Sequence, residues 1–148
     1  MEENALLVPM TEEMPQATDD AAVLRRLMDG ESVAVAYYRR LACRSGRNSA
    51  SQFRQIASDE EQHLRQLQTE YYLLTGDSYN PTKAEPVDQG LLSALRTAYQ
   101  AEQSDYQAYM RAAESTASTA LAALYVDHAA DEARHAQQLR RMVERVMG

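Results

Sequence analysis

Apolar residues recur at intervals of three and four along four segments of this 148-residue chain, and each stripe is broken by charged or polar residues at inward positions. In the first segment Leu24, Leu27, Met28, Ala34, Val35, Tyr38, Leu41 and Ala42 share a face, and Glu31 fills the gap. In the second, Phe53, Ile56, Ala57, Leu64, Leu67, Tyr71 and Leu74 enclose Glu60 and His63. In the third, Leu91, Leu95, Ala98, Tyr99, Tyr106, Tyr109, Ala112 and Ala113 have Glu102 in their middle. In the fourth, Leu121, Leu124, Tyr125, His128, Leu139, Met142 and Val146 enclose Glu132 and His135. The pattern predicts an all-α protein of four amphipathic helices, over residues 18–45, 48–75, 88–115 and 118–147. Thr18 with Asp19 and Asp20 suits a helix start, Gly46 and Gly76 suit helix ends, and Ser115 to Ser118 suit a turn. Residues 1–17, with Pro9 and Pro15, are expected to form a mobile or extended N-terminal arm whose Leu6, Leu7 and Val8 can dock on the bundle; residues 18–148 form the bundle itself. Residues 77–87, with Pro81 and Pro86, are expected to be an extended connection.

Composition narrows the setting. The length fits one domain with a real core. A net charge of -7 argues against nucleic acid and anionic membranes as partners and favours attraction of cations. Cys43 is the only cysteine, so an internal disulfide and a Cys-x-x-Cys metal or redox pair are both ruled out. No apolar run is long enough to span a membrane. The opening Met1-Glu2-Glu3 is acidic where a secretory signal is basic, so a cytoplasmic location is expected.

The chemistry sits in a motif that occurs twice. Asp59-Glu60-Glu61-Gln62-His63 and Asp131-Glu132-Ala133-Arg134-His135 both read Asp-Glu-x-x-His, with Leu67 and Leu139 four residues further on. Residues three apart share a helix face, so each Glu and its His aim at one point, a donor set that suits iron, manganese or zinc. The repeat extends further. Glu31 and Tyr38 are seven apart, as are Glu102 and Tyr109; the first pair maps on the second by a shift of 71 residues, and the two motifs by 72. A pseudo-twofold would gather Glu31, Glu60, Glu102 and Glu132 at one centre with His63 and His135 at its ends, the ligand set of a carboxylate-bridged dimetal site. Four carboxylates in an apolar bundle repel one another and lose hydration, and two divalent ions neutralise all four.

This set resembles the ferritin-like di-iron proteins and, among them, the rubrerythrins, over residues 18–147: Glu31, Glu60-x-x-His63, Glu102-x-x-Asp105 and Glu132-x-x-His135 carry the likeness. The resemblance implies a ferritin-like four-helix bundle and a non-haem centre of two iron ions that reacts with peroxide or dioxygen. It implies Glu60 and Glu132 as bridges, Glu31 and Glu102 as terminal ligands, and His63 and His135 completing the two spheres. Rubrerythrins carry a further Glu three residues after the third-helix ligand. Asp105 stands there, one methylene shorter, which leaves its ligation open. The cysteine pairs of a rubredoxin segment are absent, so a peroxidase of this kind needs a separate electron-donor protein. Iron oxidation or storage, a dimanganese catalase-like centre, and a bundle with a structural metal or none are the other readings; zinc is a candidate occupant of recombinant protein.

Four further features complete the expectations. Asp59 and Asp131 are placed to accept the free imidazole N–H of the histidine from the other half, Asp59 from His135 and Asp131 from His63. Tyr38 and Tyr109 can bond the ligand carboxylates, supply an electron, or fill the core with a bonded hydroxyl. His128, where the repeat has Ile56, is a core histidine or takes part in proton delivery or a third metal site. The twofold also makes the second and third helices parallel, so their connection must travel the bundle. Full-length helices ask it to cover about 45 Å. Twelve steps reach about 40–43 Å. The expectation is therefore a long crossover with a frayed helix end, or a homodimer in which the last two helices are swapped.

Overall fold

The computed structural model describes the backbone of residues 2–148 and the side chains of residues 20–148. Among the described residues there are four helices and no strand: α1 (Glu2–Arg44), α2 (Arg47–Thr75), α3 (Leu91–Ser115) and α4 (Thr119–Met147). α1 takes in the first expected helix but begins at Glu2 rather than Thr18. The docking of Leu6, Leu7 and Val8 and the placing of Asp19 lie outside the residues whose side chains are described.

The ends have local causes. Gly76 adopts φ 79, the left-handed conformation that costs glycine nothing, and its amide bonds to the Tyr72 carbonyl, which stops α2. Ser118 caps α4 by accepting from the Leu121 amide at 3.1 Å. α3 starts three residues past the expected Asp88, because Gly90 is extended and Asp88 is drawn away to Arg40 at 2.8 and 2.9 Å. Residues 77–90 have no regular secondary structure and are tied to α1 at both ends. The Tyr79 hydroxyl and the Thr82 amide donate to the Asp29 carboxylate, at 3.1 and 2.7 Å, while Asp88 holds Arg40 and the Gln89 side chain meets the Tyr37 hydroxyl.

α1 packs on α2 and α3 on α4 as two hairpins, which meet along α1–α3 and α2–α4. Their apolar faces form two clusters. One holds Tyr38, Leu41, Phe53, Ile56, Leu95, Leu139 and Met142. The other holds Leu24, Met28, Leu67, Tyr71, Tyr109, Leu121 and Tyr125. Glu31, Glu60, His63, Glu102, Glu132 and His135 fall between them along the helices, so this polar layer has hydrocarbon above and below it. Leu74, Leu91 and Val146, expected inside, are exposed because they lie at helix ends past the last core layer. Cys43 is exposed near the end of α1. No described helix is long and apolar enough to cross a membrane.

Phe53 has no exposed surface, and its removal leaves a cavity that rigid helices cannot close. Phe53→Ala is expected to cost about 3–5 kcal/mol in chemical denaturation. Leu73→Ala, at a residue 70% exposed, is expected to change stability by less than about 0.5 kcal/mol.

Candidate metal centre

Each helix delivers its polar residues by helical spacing alone. Glu60 and His63 lie one turn apart on α2, Glu132 and His135 one turn apart on α4, and Glu31 and Glu102 face them from α1 and α3. All six are buried, Glu60, Glu132 and His135 completely. They fall into two groups that share two members: Glu31, Glu60, His63 and Glu132, and Glu60, Glu102, Glu132 and His135. In each group one ligand-type atom per residue lies within 4.8 Å of all the others. Glu60 and Glu132 belong to both, as a bridging pair would.

The histidines fix the orientation. His63 sets Nε2 against Asp131 Oδ2 at 2.8 Å, and His135 sets Nε2 against Asp59 Oδ2 at 2.8 Å. Each imidazole is thus held by the aspartate of the opposite half. Donation of Nε2–H to the aspartate leaves Nδ1 facing the glutamates. His63 Nδ1 lies 3.1 Å from Glu31, 3.2 Å from Glu60 and 3.8 Å from Glu132. His135 Nδ1 lies 3.3 Å from Glu132, 3.5 Å from Glu102 and 3.7 Å from Glu60. The tyrosines cross over in the same way. Tyr38 donates to Glu102 at 2.6 Å and Tyr109 to Glu31 at 2.5 Å, so each serves the carboxylate of the other half.

The donor set fits divalent cations. Both oxygens of Glu60 and of Glu132, one oxygen each of Glu31 and Glu102, and His135 Nδ1 are buried without a hydrogen-bond partner. Buried polar atoms are normally paired, so seven orphans converging on one place mark a site built for an ion. Electrostatics carry the same message. Burial, then the Glu31 and Glu102 charges, push Glu60 up to about 8, and burial with the neighbouring glutamates raises Glu132 well above the carboxylate range. Burial works against the charge on His63, but the Glu31 and Glu60 carboxylates close to its Nδ1 outweigh it and take the imidazole up to about 11. Burial is likewise overcome at His135, which reaches about 9 chiefly through Glu102 and Glu60. Without metal, the site therefore fills with protons.

The remaining predicted residues take different places. Asp105 belongs to neither group; it stands half-buried beside them, raised to about 7 by burial and the charges of Glu31 and Glu102. His128 stacks on His63 with ring centroids 4.0 Å apart and sets Nε2 against Gln66 Oε1 at 2.8 Å; burial and the His63 charge lower it to about 3. It joins neither ligand group. Arg134 and Gln66 were not singled out by sequence. Arg134 pairs with Asp131 at 2.9 Å and reaches Asp59 at 3.5 Å, so one guanidinium steadies both aspartates behind the histidines. Its signal lay inside the second motif, one residue before His135.

The fold and site thus define a class: an all-α four-helix bundle with two buried Glu/His groups that resembles a ferritin-like dimetal site. The chain is 32% identical over 114 residues to the uncharacterized protein YhjR of Bacillus subtilis (strain 168), covering 76% of this chain and 79% of YhjR, and it belongs to the family of that protein. No family model and no solved structure matches the chain.

The proton-filled site sets a pH dependence. An unfolded Glu or His has lost its proton by about pH 7, whereas the folded, metal-free chain keeps protons on Glu60, His135 and His63 up to about 8, 9 and 11. The folded state binds more protons than the unfolded state in this window, so stability falls as pH rises. Metal-free protein is expected to melt lower at about pH 8.5 than at about pH 7, and zinc to raise its melting temperature more at the higher pH, since bound metal replaces those protons. Calorimetry at both values, with and without zinc, measures both.

Proposed function

We propose that the chain is a di-iron oxidoreductase of rubrerythrin type that reduces hydrogen peroxide with electrons from a separate donor protein. The observation that carries the reading is the pair of ligand groups sharing Glu60 and Glu132, whose oxygens have no other partner. A bundle that needed only packing would not bury four carboxylates and two imidazoles at one level.

In this reading Glu60 and Glu132 would be shared between the two ions, Glu31 and Glu102 would each serve one, and His63 and His135 would present Nδ1 to them. Two redox-active divalent ions, when bound, supply the electrons and the open positions for an oxygen substrate. The chain's own residues do the rest. Asp131 and Asp59 hold the imidazole tautomers and keep Nδ1 aimed inward. Tyr109 and Tyr38 occupy one oxygen of Glu31 and Glu102, which leaves the other free to bind. The two apolar clusters exclude water from the ends of the site. Residues 77–90, anchored on α1 at Asp29 and at Arg40, act as the long crossover of a ferritin-like bundle whose second and third helices run the same way. Both ligand groups lie within one chain.

Glu132→Ala is expected to abolish binding of two metals per chain, read by metal analysis after dialysis; retention of two would sink the dimetal assignment. Asp131→Asn keeps the shape but not the charge behind His63, and is expected to weaken metal affinity by about 10–100-fold. Stopped-flow oxidation tests the chemistry. The diferrous protein is expected to react faster with hydrogen peroxide than with dioxygen. Preference for dioxygen with uptake of more than two irons per chain would make it a ferroxidase instead.

A further inference from the structure

Between α1 and α3 a cavity of about 410 Å³ runs from the surface to the buried site, a size typical of small-molecule pockets. Its inner end is formed by Glu31 and Tyr109 and flanked by Asp105. Glu31 is 3% exposed and its Oε1 has no partner. The walls are apolar, from Val23 and Leu27 on α1 and Ala108 and Ala112 on α3. At the outer end stand two exposed arginines, Arg26 on α1 and Arg111 on α3. Neither has a hydrogen-bond or ion-pair partner among the described residues, unlike Arg39, Arg40 and Arg134, which are held by Glu61, Asp88 and Asp131.

The arrangement is a gradient: cationic at the mouth, hydrocarbon in the middle, and a polar floor already supplied with its own hydrogen-bond and ion-pair partners, Tyr109 and His63 on Glu31. Only a molecule of opposite polarity satisfies it. An anionic headgroup is drawn to the two guanidiniums at the mouth, which have no partner among the described residues and bind carboxylates well. Hydrogen peroxide by itself has no use for either the walls or the arginines.

We propose that this cavity binds a small amphipathic carboxylate, its headgroup on Arg26 and Arg111 and its hydrocarbon tail along Val23, Leu27, Ala108 and Ala112, so that the far end of the tail is presented to Glu31. One part rests on the peroxidase reading: the group at that far end is then a hydroperoxide. Its O–O bond breaks, the outer oxygen leaves as water and the inner oxygen stays on carbon as an alcohol. The two electrons come from the one-electron donor protein, in two transfers, and two protons are taken up.

Calorimetric titration of the full chain with octanoate, which carries no oxidant, tests the site apart from the chemistry. Saturable binding of one octanoate per chain is expected. The Arg26→Gln/Arg111→Gln double variant is expected to bind at least about tenfold more weakly, as is octan-1-ol with the wild-type chain, since both lose the charge-assisted contact. Arg39→Gln, away from the cavity, is expected to bind octanoate as the wild type does. Ala108→Leu narrows the walls without touching the arginines and is expected to weaken binding too. Absence of saturable binding, or equal affinity in the double variant with its helical circular dichroism intact, overturns the proposal. The two readings fail separately. If hydrogen peroxide oxidises the diferrous protein while octanoate does not bind, the cavity assignment falls alone. If octanoate binds through the arginines while no peroxide oxidises the diferrous protein, the peroxidase reading falls and the carboxylate site stands.

Discussion

Everything in this bundle answers to one electrostatic constraint: four buried carboxylates are held at one level of an apolar core. Such charges cannot be left to repel one another at low dielectric. The rest of the architecture provides the compensation. Two imidazoles face the carboxylates, two tyrosines each satisfy one oxygen, and two aspartates set the imidazoles from behind. Almost every one of these bonds joins one hairpin to the other. The polar layer therefore fixes the register of α1 against α3 and of α2 against α4, which apolar contacts alone would leave freer to slide.

The pseudo-twofold is obeyed by the ligand-type residues and broken around them. Ile56, fully buried in the apolar cluster, corresponds to His128, stacked on His63 and bonded to Gln66. Ala34 corresponds to Asp105, and Gln62 to Arg134. Two of the breaks, His128 and Asp105, add polar groups beside His63 and Glu31 where the other half has an aliphatic and a methyl side chain; the third replaces the amide of Gln62 with the guanidinium of Arg134, which serves both aspartates. Two half-sites with the same donors thus have different surroundings. The cavity that ends at Glu31 and Tyr109 lies on the more polar side.

Much of this was legible in the sequence, for a physical reason. A buried charge interrupts a hydrophobic stripe, and an interruption repeated at a fixed interval exposes both the helix face and the symmetry. The six residues Glu31, Glu60, His63, Glu102, Glu132 and His135 were therefore visible as a set, and the structure gathers them. The pairing of Asp59 with His135 and of Asp131 with His63 followed from the same symmetry. What escaped was whatever depends on angle rather than period. That Tyr38 serves Glu102, and Tyr109 Glu31, is set by how α1 and α3 face each other, and spacing along one helix cannot report it. Arg134 reads as a solvated helix residue until the two aspartates converge on it. The exposed ends at Leu74, Leu91 and Val146 fit the periodicity and fail only because no helix covers them.

Protons and metal ions answer the same electrostatic demand of the site. Glu60 is pushed up to about 8, Glu132 is raised by burial and the neighbouring glutamates, and both imidazoles are raised above neutral pH, so protons offset much of the carboxylate charge when no metal is bound. Two divalent cations would offset four carboxylates with both imidazoles neutral. Filling the site is then an exchange of protons for ions rather than the neutralisation of a bare anionic hole. Each state satisfies the constraint, so the bundle can keep its register through loading. The aspartates matter in both: they pair with imidazolium in one and hold the N–H of neutral imidazole in the other, without moving.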